Sequence, residues 1–261
     1  MTKRIEDFTV TGNRFINKDI FLLELQAEGK LADLKPGQFV QVRVDGSPET
    51  FLRRPLSIHD ADFERNTIKL LVQLAGKGTE TLSRLQTGRK LNLIYPLGNS
   101  FTIPEQDEKI LLIGGGCGVA PLLFLGKHLK SLGHSPEILL GFRNRERMIE
   151  YDEYMSIGPV SLATEDGSVG EKGFVTQHSL LAGKRFNRIY CCGPDRMMKA
   201  VAQYAFANGI SCEVSLENLM ACGFGACLCC VVDTVDGNQC TCIDGPVFNI
   251  NKLKWQNSES A

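Results

Sequence analysis

Residues 111–125, LLIGGGCGVAPLLFL, constrain the fold more than any other stretch: a run of glycines separates an apolar strand from an amphipathic helix. Glycine lets backbone N–H groups come close to a phosphate, and the N-terminus of the helix that follows favours negative charge through its dipole and unpaired donors. The run departs from G-x-G-x-x-G, because Val119 stands where the third glycine or alanine would fall after Gly114-x-Gly116. On this stretch alone, a ligand-free strand-to-helix turn stays open beside a dinucleotide site.

The alternation continues downstream. PEILLGF, GPVSLAT and NRIYCCGP read as strands. Helical periodicity falls on Val119, Leu122, Leu123, Gly126 and Leu129, then on GFVTQHSLLAG and DRMMKAVAQYAFANG. Such alternation implies βαβ units in a doubly wound parallel sheet covered on both faces. Upstream, residues 19–26, 37–44, 54–61, 67–74 and 89–96 read as short strands, with one helix over 78–88 that uses Gly88 as its cap. That spacing points to an antiparallel β-barrel or sandwich. Polar NSFTIPEQDEK marks the join, so the expected organisation is a β-barrel over 1–101, an α/β nucleotide domain over 102–213, and a thiol-rich segment over 214–261 with a frayed tail, NSESA.

Composition narrows the function. A net charge of −1 without a run of like charges argues against nucleic acid or an acidic membrane surface as the main partner. No apolar stretch approaches the ~20 residues of a membrane span, and the acidic start IED precludes a signal peptide h-region. The expected location is cytoplasmic, where thiols stay reduced and cysteine clusters bind metal or do redox chemistry.

Six of the ten cysteines lie between 222 and 242. The spacing Cys222-x4-Cys227-x2-Cys230 with a distant Cys242 is that of plant-type [2Fe–2S] sites, whereas structural zinc sites pair two short knuckles. Cys240-x-Cys242 is too tight for a second knuckle, and zinc remains the alternative. Gly223 and Gly225 suit a loop that aims N–H groups at sulfur; Cys229 and Cys240 are surplus. FLRRPLSI (51–58) offers arginines for phosphate and Ser57 for a ring nitrogen, though Arg-Arg-Pro also suits a solvated edge. Cys192, at a strand end before Gly193 and Pro194, could face a cofactor, whereas Cys191 points into a core. His59, His128, His134 and His178 show no ligating or catalytic spacing.

Together RRPLSI, GKGT (76–79), GGGCGVAPL, CGPDRMM, SLENLMACGFGACLCC and CIDGPVF (242–248) give the chain its likeness. It resembles the ferredoxin-NADP reductase superfamily, and within it the iron–sulfur electron-transfer subunits of dihydroorotate dehydrogenase B, over roughly residues 5–250. The resemblance implies FAD on the barrel, with Arg54 at a phosphate, Ser57 at the flavin ring, and Pro55, Leu56, Leu71, Val72, Gln73, Gly78 and Thr79 lining the rest. It also implies a nicotinamide dinucleotide, NAD(P), along Gly114, Gly115, Gly116, Gly118, Gly193 and Pro194, with Cys192 as the catalytic contact at its ring. The cluster ligands it implies are Cys222, Cys227, Cys230 and Cys242. Two features depart from the pattern: Cys229 stands where glycine is common, and Arg143 and Arg145 could take a 2′-phosphate.

In such subunits electrons pass from the FMN of a dihydroorotate-oxidising partner to the cluster, then FAD, then NAD⁺, in pyrimidine synthesis. Flavin is needed because nicotinamide exchanges two electrons and the cluster one. The resemblance also implies two copies of each chain. A similar layout occurs in the small subunit of an NADH-dependent ferredoxin:NADP oxidoreductase, and a different class altogether would be a non-catalytic, zinc-stabilised nucleotide-binding module.

Overall fold

Alternating side chains build the first half of the molecule. The computed structural model describes residues 2–183 and 185–255; the tail 257–261 expected to fray lies outside them. Strands β1 (Arg4–Asn17), β2 (Ile20–Ala27), β3 (Phe39–Val42), β4 (Arg54–Ser57), β5 (Asp60–Asp62), β6 (Thr67–Gln73) and β7 (Lys90–Leu97) form one antiparallel sheet in the order β4-β3-β7-β1-β2-β6-β5. Its inward positions, Phe8, Leu23, Leu25, Val40, Ile68, Leu70 and Leu93 among them, are fully buried in one core. The sheet curls until its two edges are consecutive in the chain. At that corner Ile58 N–H donates to Gln38 O at 3.0 Å and His59 N–H donates to Lys69 O at 2.9 Å, so the single strand expected over 54–61 is two short ones with different partners.

Two more expectations change here. The 14-residue β1 was not expected as a strand, because only Phe8 and Val10 of its side chains are fully buried and bulges at Val10/Gly12 and Phe15/Asn17 break its alternation. The helix read over 78–88 is α1 (Lys77–Ser83). Gly88, at φ 88°, instead donates its N–H to Val10 O at 2.8 Å, which draws the chain after α1 into the barrel wall.

The second sheet contains β8 (Ile110–Gly115), β9 (Glu137–Phe142), β10 (Val160–Thr164), β11 (Glu171–Lys172), β12 (Arg188–Cys192) and β13 (Ser211–Ser215), all parallel. Helices α2 (Ala120–Ser131), α3 (Tyr151–Met155), α4 (Ser179–Gly183) and α5 (Asp195–Asn208) connect them. Leu112 and Leu140 pack with Leu122 of α2 on one face, and Leu111, Ile113 and Leu139 pack with Met198 and Val201 of α5 on the other, which is the expected double winding. The helix expected over 173–183 is broken at His178, whose extended backbone separates a 3-10 turn from the five-residue α4.

After β13 the chain leaves this sheet, forms a hairpin of β14 (Val231–Thr234) and β15 (Gly237–Cys240), and returns as β16 (Val247–Asn249), antiparallel to β13. The expected boundary at 213/214 thus falls inside β13, and the thiol-rich segment is an excursion from the sheet edge. Asn99 fastens its far end: its amide donates to Asp244 O and Val247 O at 2.8 Å and accepts from Val247 N at 3.0 Å.

Candidate metal centre and cofactor crevice

The excursion folds its cysteines back onto the barrel. Phe39 and Leu97 of the barrel, with Met220, Cys230, Cys240 and Cys242, make one small buried core. Positive φ at Gly223 (78°), Gly225 (89°) and Leu228 (56°) curls residues 222–230 so that N–H groups turn toward sulfur. Phe224 N–H approaches Cys222 Sγ at 3.5 Å, Cys229 N–H approaches Cys227 Sγ at 3.5 Å, and Cys242 N–H approaches Cys230 Sγ at 3.4 Å.

The four thiols expected as ligands are electrostatically linked. Burial raises Cys222, but the N–H groups of Phe224, Cys227 and Ala226 and the Cys227 thiol outweigh it and bring the group down to about 6. Burial and then the Cys230 thiol push Cys242 up to about 12, and Cys222 acts on it in the same sense. All four sulfurs are approached by backbone N–H groups, Cys242 by that of Gly225, the environment a cluster of negative charge needs. No group of three or more His, Cys, Asp or Glu side chains among the described residues is arranged to hold a single metal ion. Cys240, expected as surplus, is buried and reaches the Cys230 thiol, whereas Cys229 is exposed.

One strand away lies the arginine-serine strand. β4 pairs with β3 in the register Phe39↔Ser57 and Gln41↔Pro55. The two arginines of RRPLSI divide their work. Arg53 donates to Gln41 O at 3.2 Å and to Asn92 O and Oδ1 at 3.0 and 2.6 Å, so it is a structural clamp. Arg54 has no hydrogen-bond or ion-pair partner among the described residues. Its guanidinium lies against the GKGT turn, where a Cβ on Gly78 would come within 2.9 Å of Arg54 Nε. A free guanidinium beside a glycine turn fits a phosphate. Thr79 acts within that turn: its hydroxyl accepts from Ala75 N at 2.8 Å and donates to Gly76 O at 2.9 Å. Leu56 packs against the barrel core, Val72 points into it and Gln73 is exposed, so of these three only Gln73 presents its side chain outward.

The order of the second sheet reverses between β8 and β12, the switch point beyond whose strand ends ligands of such sheets bind. Two glycine turns meet there. A Cβ on Gly118 would lie 2.3 Å from Gly193 Cα, and one on Gly115 would lie 2.4 Å from Met197 Sδ. Gly114 instead faces the core, 2.8 Å from Val119 Cγ1, while Gly116, at φ 54°, has open space beside it and Pro194 is exposed. The run therefore serves packing at Gly114, close loop approach at Gly115 and Gly118, and access at Gly116. Cys192 is only 1% exposed and its thiol donates to Ser215 O at 3.3 Å. Burial, then Glu217, hold it well above the ordinary thiol range, which leaves it a neutral packing and donor group. Cys191 packs on the opposite face. Beyond β9, Arg145 is tied to Ser168 O at 3.3 Å, and Arg143 has no partner among the described residues.

The iron–sulfur cluster binding domain of dihydroorotate dehydrogenase B matches residues 217–254, and the oxidoreductase FAD-binding domain matches residues 7–102. The dihydroorotate dehydrogenase B (NAD(+)) electron transfer subunit of Fusobacterium nucleatum is 36% identical over 253 residues, spanning 94% of this chain and 96% of its own. That of Caldanaerobacter subterraneus is 37% identical over 243 residues, spanning 92% and 94%. The chain belongs to this family of electron transfer subunits. Among solved structures, an NADH-dependent reduced ferredoxin-NADP oxidoreductase superposes with a TM-score of 0.86 at 30% identity over 95% of this chain and 90% of that one. A ferredoxin reductase of carbazole 1,9a-dioxygenase, at 19% identity and a TM-score of 0.69 over 80% and 67%, shows the fold alone.

As a member of that family, the chain is an oxidoreductase subunit with FAD-binding and iron–sulfur segments, and the zinc-module expectation gives way. Sequence reasoning missed three groups at the site. Glu217 is exposed to the crevice yet closely surrounded, and burial raises its carboxyl; it acts on both Cys192 and Cys117. Cys117 lies against Leu71 O at 3.9 Å, which joins the end of β6 to the glycine turn. Gln41 is fully buried on β3, facing the thiol loop. Nothing in the local sequence distinguishes them, because each is defined by a neighbour from another segment.

Proposed function

We propose that the chain links an FMN-containing, dihydroorotate-oxidising subunit to NAD⁺, holding FAD on the barrel and a [2Fe–2S] cluster on Cys222, Cys227, Cys230 and Cys242. The supporting observation is the sharing of β3. Phe39 on this strand packs with Cys230 and Cys242, while the strand's other edge pairs with Arg54–Ser57. A bound flavin exchanges a hydride with nicotinamide and single electrons with an iron–sulfur centre.

This chain's residues would then bind and orient. Arg54 and the Gly78 turn take a phosphate, Ser57 lies on the outward face of β4, and Leu71 presents its backbone where the barrel meets the glycine turn. Gly116, Gly118, Gly193 and Pro194 form the floor of the dinucleotide crevice. The buried Cys192 thiol and the Glu217 carboxyl beside it would form its wall. The name of the relatives supports NAD⁺ over NADP⁺; Arg143, without a partner among the described residues, is the cation we would assign to a 2′-phosphate.

Leu219, Phe224, Leu228 and Ile243 are exposed around the thiol loop, with Leu219 86% exposed, and an apolar face of this kind suits a docked partner. We assign this face to the catalytic subunit, in an assembly of two of each chain. The reduced thiols suit a cytoplasmic setting, and no helix among the described residues is long and apolar enough to cross a membrane. The limits 1–101, 102–213 and 214–261 belong to the same proposal, with the last two joined through one sheet.

A second reading rests on the 0.86 superposition with the ferredoxin-NADP oxidoreductase: a small subunit serving a larger flavoprotein. Co-purification separates the two, since the first brings an FMN-containing subunit and the second a flavoprotein carrying further clusters. For either, anaerobically purified protein should be brown and contain FAD with about two irons per chain; a colourless protein holding zinc would contradict both.

A further inference from the structure

Gln41 is the one side chain of the shared strand that nothing so far explains. It is 0% exposed, and neither its amide nitrogen nor its amide oxygen has a hydrogen-bond partner among the described residues. Buried amides are almost always paired, so such a group is aimed at something specific. Its direction is fixed. Gln41 lies two positions beyond Phe39 on β3, so the two side chains leave the same face of the sheet, and Phe39 packs directly against the Cys230 and Cys242 core. Gln41 itself meets the thiol loop: a Cβ on Gly223 would lie 2.6 Å from Gln41 Cγ and 2.8 Å from Gln41 Nε2. Gly223 thus admits the amide immediately beside Cys222. The backbone cannot swing away, because Arg53 holds Gln41 O at 3.2 Å and Val42 is buried in the barrel.

We propose that Gln41 is a positioning residue for the metal centre, its amide N–H donated to sulfur at the Cys222 side of the cluster. The inference rests on the cluster reading above. Uptake of one electron adds one negative charge to the iron–sulfur unit, and a donor to sulfur stabilises that charge, which raises the reduction potential. Because β3 also pairs with the arginine-serine strand at Gln41↔Pro55, the same residue ties the cluster's potential to the strand proposed to carry the flavin.

The test is a potentiometric titration of the full chain, purified anaerobically with its cofactors, comparing wild type with Gln41→Leu. Iron content and FAD are measured alongside, and the reduced cluster is followed by EPR. In Gln41→Leu the cluster should be retained while its one-electron equilibrium shifts about tenfold toward oxidised, a fall of about 59 mV, with a changed EPR line shape and an unmoved flavin potential. A retained cluster with unchanged potential, or a shift confined to the flavin, overturns the inference and leaves the cluster reading intact. Wild-type protein without iron overturns both. In a second measurement, side-chain ¹⁵N-glutamine labelling should give in wild type a nitrogen coupling to the reduced cluster in pulsed EPR that Gln41→Leu lacks. No such coupling in wild type, or one that persists in Gln41→Leu, overturns the inference.

Discussion

The barrel and the thiol segment are held together in different ways, although they share a strand. Inside the barrel, side chains from all parts of the sheet interdigitate, and the interior is closed by residues 8–95 together with Phe124 of α2. The segment between β13 and β16 buries Met220 and three thiols against two barrel side chains and leaves Leu219, Phe224, Leu228 and Ile243 exposed. A barrel of that kind is stabilised by its own apolar burial. A loop with so little core depends on bonds to what its thiols hold, as small metal-binding segments do.

The comparison is broken most severely by removing the metal. Chelation or reductive release of iron should leave the barrel's amide exchange slow while exchange over 219–243 rises by orders of magnitude; equal protection in both regions after iron loss would mean that the segment folds unaided. Next comes Phe39→Ala, which truncates the main barrel contact of the thiols. It should cost about 3–5 kcal/mol in denaturant unfolding and speed loss of the brown colour, where a barrel-only role would leave cluster lifetime unchanged. Smaller and more selective effects are expected at the arginine pair. Arg54→Leu should weaken FAD retention about tenfold to a hundredfold with little change in the melting of the flavin-free chain, on the scale of one charge-assisted contact. Arg53→Leu should do the reverse, lowering stability by about 1–3 kcal/mol with flavin affinity little altered.

The smallest effect concerns the contact between barrel and nucleotide sheet. Buried His59 bonds Ala120 O at 2.8 Å and Glu150 Oε2 at 2.6 Å, and Arg14 pairs with the same carboxylate at 3.3 Å. Burial raises the Glu150 carboxyl, but His59 and Arg14 outweigh it and hold it below its ordinary value of 4.5. A carboxyl lowered on folding contributes stability that is present above its unfolded value and lost as pH falls through the folded one. Thermal melts should therefore lose stability in acid, below about pH 4.5, and Glu150→Gln should reduce that loss, the carboxyls of Glu108, Asp166 and Glu171, also held low, supplying the rest.

What the sequence made legible follows from how local each signal is. The glycine run, each strand and helix of the alternation from Lys109, and the cysteine spacing are patterns of near neighbours along the chain, and the corresponding sheet, glycine turn and thiol loop are where they were expected. β1 was illegible because its two partners cover it while most of its side chains remain outside the core. The helix over 173–183 failed at His178, where Leu180 N–H bonds His178 Nδ1 at 3.1 Å in place of a helical carbonyl. That a side chain at Gly114 would meet Val119 Cγ1 at 2.8 Å shows only once the turn is folded. Gln41, Asn99 and Glu217 gain their meaning only when a barrel strand, a linker and the thiol segment come together.

A single experiment reaches the centre of the account. EPR of anaerobic protein reduced with NADH, in wild type and in Cys227→Ser, asks whether nicotinamide electrons arrive at a cluster on these thiols. The account predicts a paramagnetic signal from the one-electron-reduced cluster in wild type, and its loss with most of the iron in the variant while FAD stays bound. An unaltered signal and iron content in Cys227→Ser would contradict it.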